Sequence, residues 1–176
     1  GWIVAGVLQG EHGLWWVETE ESSPRRIANV QGEAVVDLVA DPRASSVFAL
    51  TDSGRVLRWQ AGADAAQIVA VEADIQGLRA HPSEAAVLAW LSQAGRTRVW
   101  SLGADGARSV LDVAASATDA IPAADGTGIW LLRHQTLQRY PWHGNASIVT
   151  LPLAGDQNFE RLLPSHSGRF LVAALQ

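Results

Sequence analysis

The sequence of 176 residues contains no cysteine, no methionine and no lysine. Without cysteine the chain can have no disulfide framework, no thiol nucleophile and no zinc site built from thiolates. All 13 basic residues are arginines, scattered among 18 acidic residues for a net charge of −5. Since they form no basic stripe, we expect no nucleic-acid partner.

Long hydrophobic runs are also missing. The longest apolar stretches, such as Trp2–Leu8 and Phe170–Leu175, are far shorter than the roughly eighteen residues that a membrane span needs. We therefore predict that this segment makes no membrane contact. The exclusive use of arginine with abundant alanine is typical of a gene of high GC content, which indicates a bacterial source. Because there is no methionine and the chain begins within an apolar run at Trp2, we expect it to be part of a longer protein.

Four prolines recur at intervals of about forty residues: Pro42, Pro82, Pro122 and Pro164. An aromatic residue follows each of the first three after 17, 18 and 18 residues: Trp59, Trp100 and Tyr140. A repeat of this length is typical of a β-propeller blade. Proline cannot donate a hydrogen bond to a strand ladder and is tolerated just past a strand end. We therefore place each proline after the first strand of a blade.

The first complete repeat contains four strand-sized pieces, each too short for a helix. We predict them to be strands a to d of one antiparallel blade: Val35–Ala40, Ser46–Leu50, Arg55–Gln60 and Gln67–Val71. The pattern begins again at Ile75 and at Ala117. Gly54 and Gly95 lie in the predicted turns between strands b and c, where a tight connection needs a positive φ angle. In strand c one side is bulky and apolar, so we expect Trp59 and Trp100 to pack blade against blade.

The whole chain is therefore predicted to be all-β, with β-propeller blades of four antiparallel strands, about four blades in number, forming a partial propeller. The blades cover approximately residues 1–34 (partial), 35–74, 75–116, 117–157 and 158–176 (partial). At the ends, Trp2–Gln9 and Arg169–Gln176 are predicted to be b strands and Phe159–Leu163 an a strand. One b strand is then in excess, so a closed ring of four blades is not expected. The predicted partners are a protein, the remainder of the parent chain, or a second copy through self-association.

Three segments resemble the hairpin in which bacterial propellers carry a Pro-Asp-Gly-Arg sequence followed by hydrophobic residues. They are TDSGRVLRW, QAGRTRVW and SHSGRFLVAAL. The chain in this respect resembles WD-repeat and TolB-like propellers from Val35 onward. The resemblance implies the fold and not a role, because a propeller hosts many unrelated functions.

Candidate ligand residues are those in the loops that converge at one mouth of a propeller channel, where several blades contribute side chains to one place. We predict five of them: Asp52, Arg55, Arg96, Arg133 and His134. The alternative is that these residues are solvated hairpin tips. His12 is also predicted to lie in such a connection, whereas His81 precedes its proline as Asp41 does and is interpreted as a turn residue that binds local backbone groups.

No catalytic residue, metal ligand or cofactor is predicted. The five histidines show no i+2 or i+4 pairing, and the sequence has no G-x-S-x-G, H-E-x-x-H or phosphate-loop motif. We therefore predict a non-enzymatic ligand-binding, protein-binding or scaffold module within a larger bacterial protein. Two alternatives remain open: a periplasmic domain of an ABC transporter permease, such as one for phosphate, and a propeller hydrolase. The compartment is undetermined, with the bacterial periplasm favoured.

Overall fold

A computed structural model describes residues 2–8, 11–19, 23–30, 33–41, 43, 45–69, 75–142, 148–153, 159–164 and 171–174. Within these ranges the chain consists of strands and turns and contains no helix. Accordingly, no helix in the described ranges has the length and apolar character of a membrane span. The all-β class predicted from the sequence is confirmed.

The strands form five antiparallel sheets that follow one another in chain order. The first sheet contains β1 (Trp2–Leu8), β2 (Glu11–Val17) and β3 (Arg25–Asn29). The second contains β4 (Val35–Asp41), β5 (Ser46–Thr51), β6 (Val56–Gln60) and β7 (Gln67–Val69). The third contains β8 (Gly77–Ala80), β9 (Val87–Gln93), β10 (Arg96–Gly103) and β11 (Gly106–Val113). The fourth contains β12 (Asp119–Pro122), β13 (Gly128–Arg133), β14 (Thr136–Pro141) and β15 (Val149–Pro152), and the fifth contains β16 (Arg161–Pro164) and β17 (Leu171–Ala174).

The four predicted strands of the first complete repeat correspond to β4, β5, β6 and β7. Strand β6 begins at Val56 instead of Arg55, because the Arg55 carbonyl accepts hydrogen bonds from the backbone N–H and the hydroxyl of Thr51 and so belongs to the turn. The end of the predicted fourth strand, at residues 70 and 71, lies outside the described residues. Four-stranded antiparallel blades are confirmed.

The prolines differ slightly from their predicted places. Pro82 follows β8, as predicted, but Pro122 and Pro164 are the last residues of β12 and β16. Among the described residues each of these two strands pairs on one side only, so a missing N–H breaks no described ladder on the other side. Pro42 lies outside the described residues.

The positive φ angles predicted for the b–c turns are present. Gly54 has a φ of 80° and Gly95 a φ of 76°. In the turn between β9 and β10, Ala94 precedes Gly95 with a φ of 51°, so both central residues are left-handed, as the twist of a two-residue hairpin requires.

The sheets pack in chain order: β1 contacts β4, and the innermost strands β4, β8, β12 and β16 each contact the next. No comparable packing joins the fifth sheet to the first in the part of the chain that the structure describes. The first sheet has the order β1-β2-β3 and the fifth has only β16-β17. The described strands therefore form a partial propeller.

The core lies between the sheets and not within any one of them. Phe48 and Trp100 fill the space between the second and third sheets, and Trp90 and Tyr140 the space between the third and fourth. Between the first and second sheets the ring of Trp59 lies 5.1 Å from that of Trp16 at an angle of 33°. The prediction that the aromatic residue of each c strand packs blade against blade is confirmed.

Replacing Trp100 with alanine should lower the free energy of unfolding by about 3–5 kcal/mol, because the indole is only 6% exposed and its removal leaves a cavity between two sheets. The change Ile68→Ala, at a side chain that is 63% exposed on β7, should cost no more than about 0.5 kcal/mol. Urea unfolding followed by circular dichroism measures both. Equal losses in the two variants would contradict the assigned core.

Candidate functional site

Three charged side chains lie on successive innermost strands, which line the channel of a propeller. They are Asp37 on β4, Arg79 on β8 and Asp119 on β12. Arg79 Nη2 lies 3.0 Å from Asp119 Oδ1, and Arg79 Nη1 lies 3.5 Å from Asp37 Oδ2. The Asp119 side chain is 4% exposed, against 23% for Arg79 and 30% for Asp37. A chain of alternating charge therefore crosses three blades, and we call it the inner charge chain.

Both carboxylates of the inner charge chain also bind backbone groups of the next blade. Asp37 Oδ2 accepts a hydrogen bond from the Leu78 N–H at 3.0 Å, and Asp119 Oδ2 accepts one from the Leu162 N–H at 2.7 Å. Asp119 Oδ1 additionally accepts the Ala120 N–H at 2.8 Å. Because these oxygens already hold the innermost strands together, the chain is built as a structural bridge between blades.

The sequence analysis did not single out these three residues. A signal was present, since Asp37 interrupts the apolar run VVDLVA and Arg79 and Asp119 each stand three residues before a repeat proline. Asp37 also follows a bulge between Val35 and Asp37 in the β4–β5 ladder. A bulge changes the direction of the side chains beside it, and the spacing of apolar residues does not predict where a bulge occurs.

The five predicted ligand residues all lie in the hairpins between the second and third strands of three consecutive blades. Asp52 and Arg55 belong to the β5–β6 turn, Arg96 begins β10, Arg133 ends β13, and His134 belongs to the β13–β14 turn. His134 is exposed and has a φ of 48°, and Asp52 is exposed while its N–H donates to the Ala34 carbonyl. The predicted convergence on one end of the propeller is compatible with this placement, and the ligand role of these residues stays a prediction.

Each arginine of this set binds a partner close to its own hairpin. Arg96 Nη2 lies 2.8 Å from Asp112 Oδ1, and Arg133 donates to the Ser116 carbonyl at 3.0 Å. Arg55 Nη2 lies 3.0 Å from Glu33 Oε2, an ion pair by distance that does not have the alignment of a hydrogen bond. In the described ranges no hydrogen bond or ion pair joins one of the five predicted residues to another.

Two histidine predictions have different outcomes. His12 lies within β2, opposite Val7, and not in a connection, because the β1–β2 ladder continues to the Leu8–Glu11 pair. His81 is a turn residue, as predicted: its Nδ1 accepts hydrogen bonds from the N–H groups of Ser83 at 3.3 Å and Glu84 at 3.0 Å. Burial lowers the pKa of His81 below 6.5, with a further lowering by Arg43 and an opposing effect of Glu84.

An open cavity of about 520 Å³ lies between the first and second sheets. Its apolar lining comes from both sheets: Ile3, Trp16, Leu38, Ala40 and Trp59. Among the described lining residues, the polar ones are Asp41, Ser45 and Ser46, where β4 ends and β5 begins. An aromatic lining with a few polar groups, in a volume within the range of about 300–1,000 Å³, is typical of a ligand site. We call this cavity the interblade groove. The described residues contain no group of three histidines or carboxylates placed to hold a metal ion.

Comparison with known proteins supports the fold. No protein-family model matches the chain, and no curated protein matches it either. A functionally unknown protein from Desulfotomaculum acetoxidans DSM 771 is similar in structure, with a TM-score of 0.65 and 15% sequence identity over 93% of this chain and 56% of that one. A putative 6-phosphogluconolactonase from Bacteroides uniformis ATCC 8492 has a TM-score of 0.62 and 14% identity over 98% of this chain and 60% of that one.

These likenesses concern the architecture alone, because at such identities a shared fold does not carry a shared activity. The chain spans 56% and 60% of the length of the two solved structures. The class that fold and comparison define is therefore a β-propeller of four-stranded antiparallel sheets.

Removing the carboxylate of Asp119 should destabilise the protein by about 3 kcal/mol, because Asp119→Ala removes the acceptor of Arg79 Nη2 and of the buried Leu162 N–H. The matched control is Asp112→Ala, since the Asp112–Arg96 pair has side chains 44% and 56% exposed and is worth at most about 1 kcal/mol. Urea unfolding of both variants is the measurement. A loss at position 119 no larger than that at position 112 would contradict the bridging role.

His81 should make stability depend on pH in one direction. The pKa of His81 is lowered in the folded state. Well above pH 6.5 the imidazole is neutral in both the folded and the unfolded chain, and as the pH falls below that value the unfolded chain binds a proton at His81 before the folded chain does. As the pH is lowered from about 8 to about 5, the free energy of unfolding should therefore fall more in the native protein than in the variant His81→Asn. The side-chain oxygen of the asparagine can still accept the two N–H groups, so the variant keeps the turn. Equal pH dependence of the two urea midpoints would contradict the assignment.

Proposed function

We propose that this propeller is a non-enzymatic binding module that holds an apolar group of its ligand or protein partner in the interblade groove. The observation that carries the proposal is the groove itself: two tryptophans, Trp16 and Trp59, face an open cavity whose remaining walls are largely aliphatic. Aromatic side chains supply large contact areas at low entropic cost and are enriched in binding sites.

An apolar side chain of β4 beside the groove is more exposed than the corresponding side chains of the other innermost strands. On β4, Leu38 is 38% exposed, whereas Leu78 on β8 is 0% and Ala120 on β12 is 1% exposed. Both of these covered residues face the preceding sheet, as Leu38 does. Contiguous exposed apolar surface is a common mark of an interaction site.

The arrangement of the ionisable groups supports binding over catalysis. An enzyme of this fold would need several titratable groups in mutual contact and free to reach a substrate. The inner charge chain brings Asp37, Arg79 and Asp119 together, but their described bonds run to each other and to backbone groups of their own and of adjacent blades. A hydrolase similar to the Bacteroides neighbour is the alternative, and no arrangement in the described residues favours it.

The kind of propeller and the larger protein that contains it are proposed from the sequence. Two of the hairpin segments that resemble those of WD-repeat and TolB-like propellers contain the β5–β6 and β9–β10 turns, and we propose a kinship with such propellers at the level of this repeat. In this proposal the module acts within a larger bacterial protein. Neither the structure nor the two similar proteins named above support a role in transport.

A neutral apolar fluorophore tests the groove directly. N-phenyl-1-naphthylamine should bind the native chain with a rise in fluorescence, and Leu38→Glu should weaken that binding at least tenfold, because it places a charge on the apolar wall. Ile68→Glu is the matched control: it introduces the same charge on the same sheet, at a side chain 63% exposed and outside the groove lining, and should leave binding unchanged.

Thermal unfolding of both variants shows that the folded state is retained. Equal binding by the two variants would contradict the groove as the site. Turnover of 6-phosphogluconolactone by the native chain, with loss of that turnover in Arg79→Met, would replace the binding proposal with the hydrolase alternative.

A further inference from the structure

The sequence contains two Asp-Gly pairs, Asp105–Gly106 and Asp125–Gly126. The first lies where β10 turns into β11, and the second lies in the turn between β12 and β13. Both turns therefore belong to four-stranded sheets, the third and the fourth. Both aspartates are also exposed. The two pairs are alike in sequence and exposure, so any difference in their chemistry must come from the contacts around them.

An aspartate that precedes glycine can react with its own backbone. The glycine nitrogen attacks the aspartate Cγ, an N–Cγ bond forms, the Cγ–OH bond breaks, and the amide proton leaves with that hydroxyl as water. The product is a five-membered succinimide ring. Glycine favours ring closure because it has no Cβ to hinder the approach and its backbone rotates freely. The neutral acid is the reactive form, because it can release its oxygen as water.

Water then opens the ring and is the only other reactant. Addition at Cγ breaks the N–Cγ bond and restores aspartate. Addition at the main-chain carbonyl carbon breaks the original peptide bond and gives isoaspartate, in which the main chain runs through the former side chain. The second route lengthens the main chain by one carbon and leaves the mass and the number of carboxylates unchanged.

The carboxylate of Asp125 is held by three donors. Oδ1 accepts the Thr127 N–H at 3.0 Å and the Thr127 hydroxyl at 2.9 Å, and Oδ2 accepts Arg139 Nη2 at 2.6 Å. The bond from the Thr127 N–H is the largest cause that lowers the pKa of Asp125, with further lowering by the Thr127 hydroxyl and Arg139. The reactive neutral acid is therefore less populated, and Cγ can turn toward the Gly126 nitrogen only if these bonds break.

The backbone of this pair is fixed as well. The Gly126 N–H donates to the Ala123 carbonyl at 2.9 Å. Gly126 also packs against the third sheet so closely that a Cβ at this position would overlap the side chain of Ser83. Rotation of the Asp125–Gly126 backbone into a ring is thus opposed by contacts on both sides of the turn.

The surroundings of Asp105 are different. In the described part of the chain its carboxylate has no hydrogen-bond or ion-pair partner. A Cβ at Gly106 would meet no atom within 4 Å, and residues 104–109 are all exposed. The turn lies beyond the last pair of the β10–β11 ladder, Gly103–Gly106, so it extends into solvent. Neither donors nor packing from another sheet oppose ring closure here.

We propose that Asp105–Gly106 is a site of spontaneous succinimide formation, at which isoaspartate accumulates in the folded protein, whereas Asp125–Gly126 is protected. This modification is independent of the proposed binding function, because neither pair lines the interblade groove.

The test follows both sites in the native chain during incubation at neutral pH and body temperature. Trypsin then releases residues 99–108 and 109–133, each with one Asp-Gly pair. Liquid chromatography separates the isomers of equal mass, and electron-transfer fragmentation identifies them. Isoaspartate should form at least tenfold faster at Asp105 than at Asp125. In guanidinium chloride, where neither carboxylate has a fixed partner, the two rates should lie within about threefold of each other.

A variant tests the cause of the protection. Arg139→Gln removes the ion pair with Asp125 and should raise the rate at that site at least threefold while leaving Asp105 unchanged. The matched control is Arg96→Gln, which removes an arginine paired with Asp112 and should change neither rate. Thermal unfolding shows that both variants remain folded.

Several results would overturn the inference. Equal rates at the two sites of the native chain would show that the contacts of Asp125 give no protection, as would an unchanged rate at Asp125 in Arg139→Gln. Isoaspartate at Asp105 only in guanidinium chloride would show that the folded hairpin itself prevents ring closure. Isoaspartate at neither site in either state would refute the assigned reactivity of the pair.

Discussion

The structure depends on the packing of each sheet against its neighbours. A four-stranded sheet in this chain is apolar on both faces: β9, for example, is buried from Val87 through Leu91 irrespective of which face a side chain occupies. Such a sheet cannot shield both faces from water by itself, and it becomes stable only between two others. The clusters that fill the structure accordingly draw residues from two adjacent sheets.

Close approach of the innermost strands creates a second requirement. Backbone N–H groups such as that of Leu162, which is 2% exposed, are buried where one blade meets the next and must have acceptors. Asp119 and Asp37 supply them, and Arg79 lies between the two carboxylates and compensates their charge. Charged residues near the axis of a propeller are natural candidates for catalysis, but here their bonds explain them as part of the assembly of blades.

The covering of one sheet by the next also locates the interaction site that we propose. Where the preceding sheet has an innermost strand, the side chains that face it are covered, as for Leu78 and Ala120. The Trp16–Trp59 pair and Leu38 line the interblade groove, and Leu38 is 38% exposed. Binding in our proposal is thus located between two blades, and not at the hairpin tips from which the sequence analysis expected it.

Much of the fold could be predicted from the sequence because its determinants are local. Alternating side chains, proline, and glycine at positive φ act over a few residues, which is why the strands of the second sheet, Gly54, Gly95 and the role of His81 were recognised correctly. The contacts of Arg79 with Asp37 and Asp119, and the difference in exposure between Leu38 and Leu78, could not be recognised in this way. They depend on which strand lies beside which, over some forty residues of chain, and on a bulge that no periodicity reveals. The sequence by itself determined the strands, their turns and their apolar faces, whereas only the tertiary structure decided which faces are covered, because burial is a property of the neighbouring sheet.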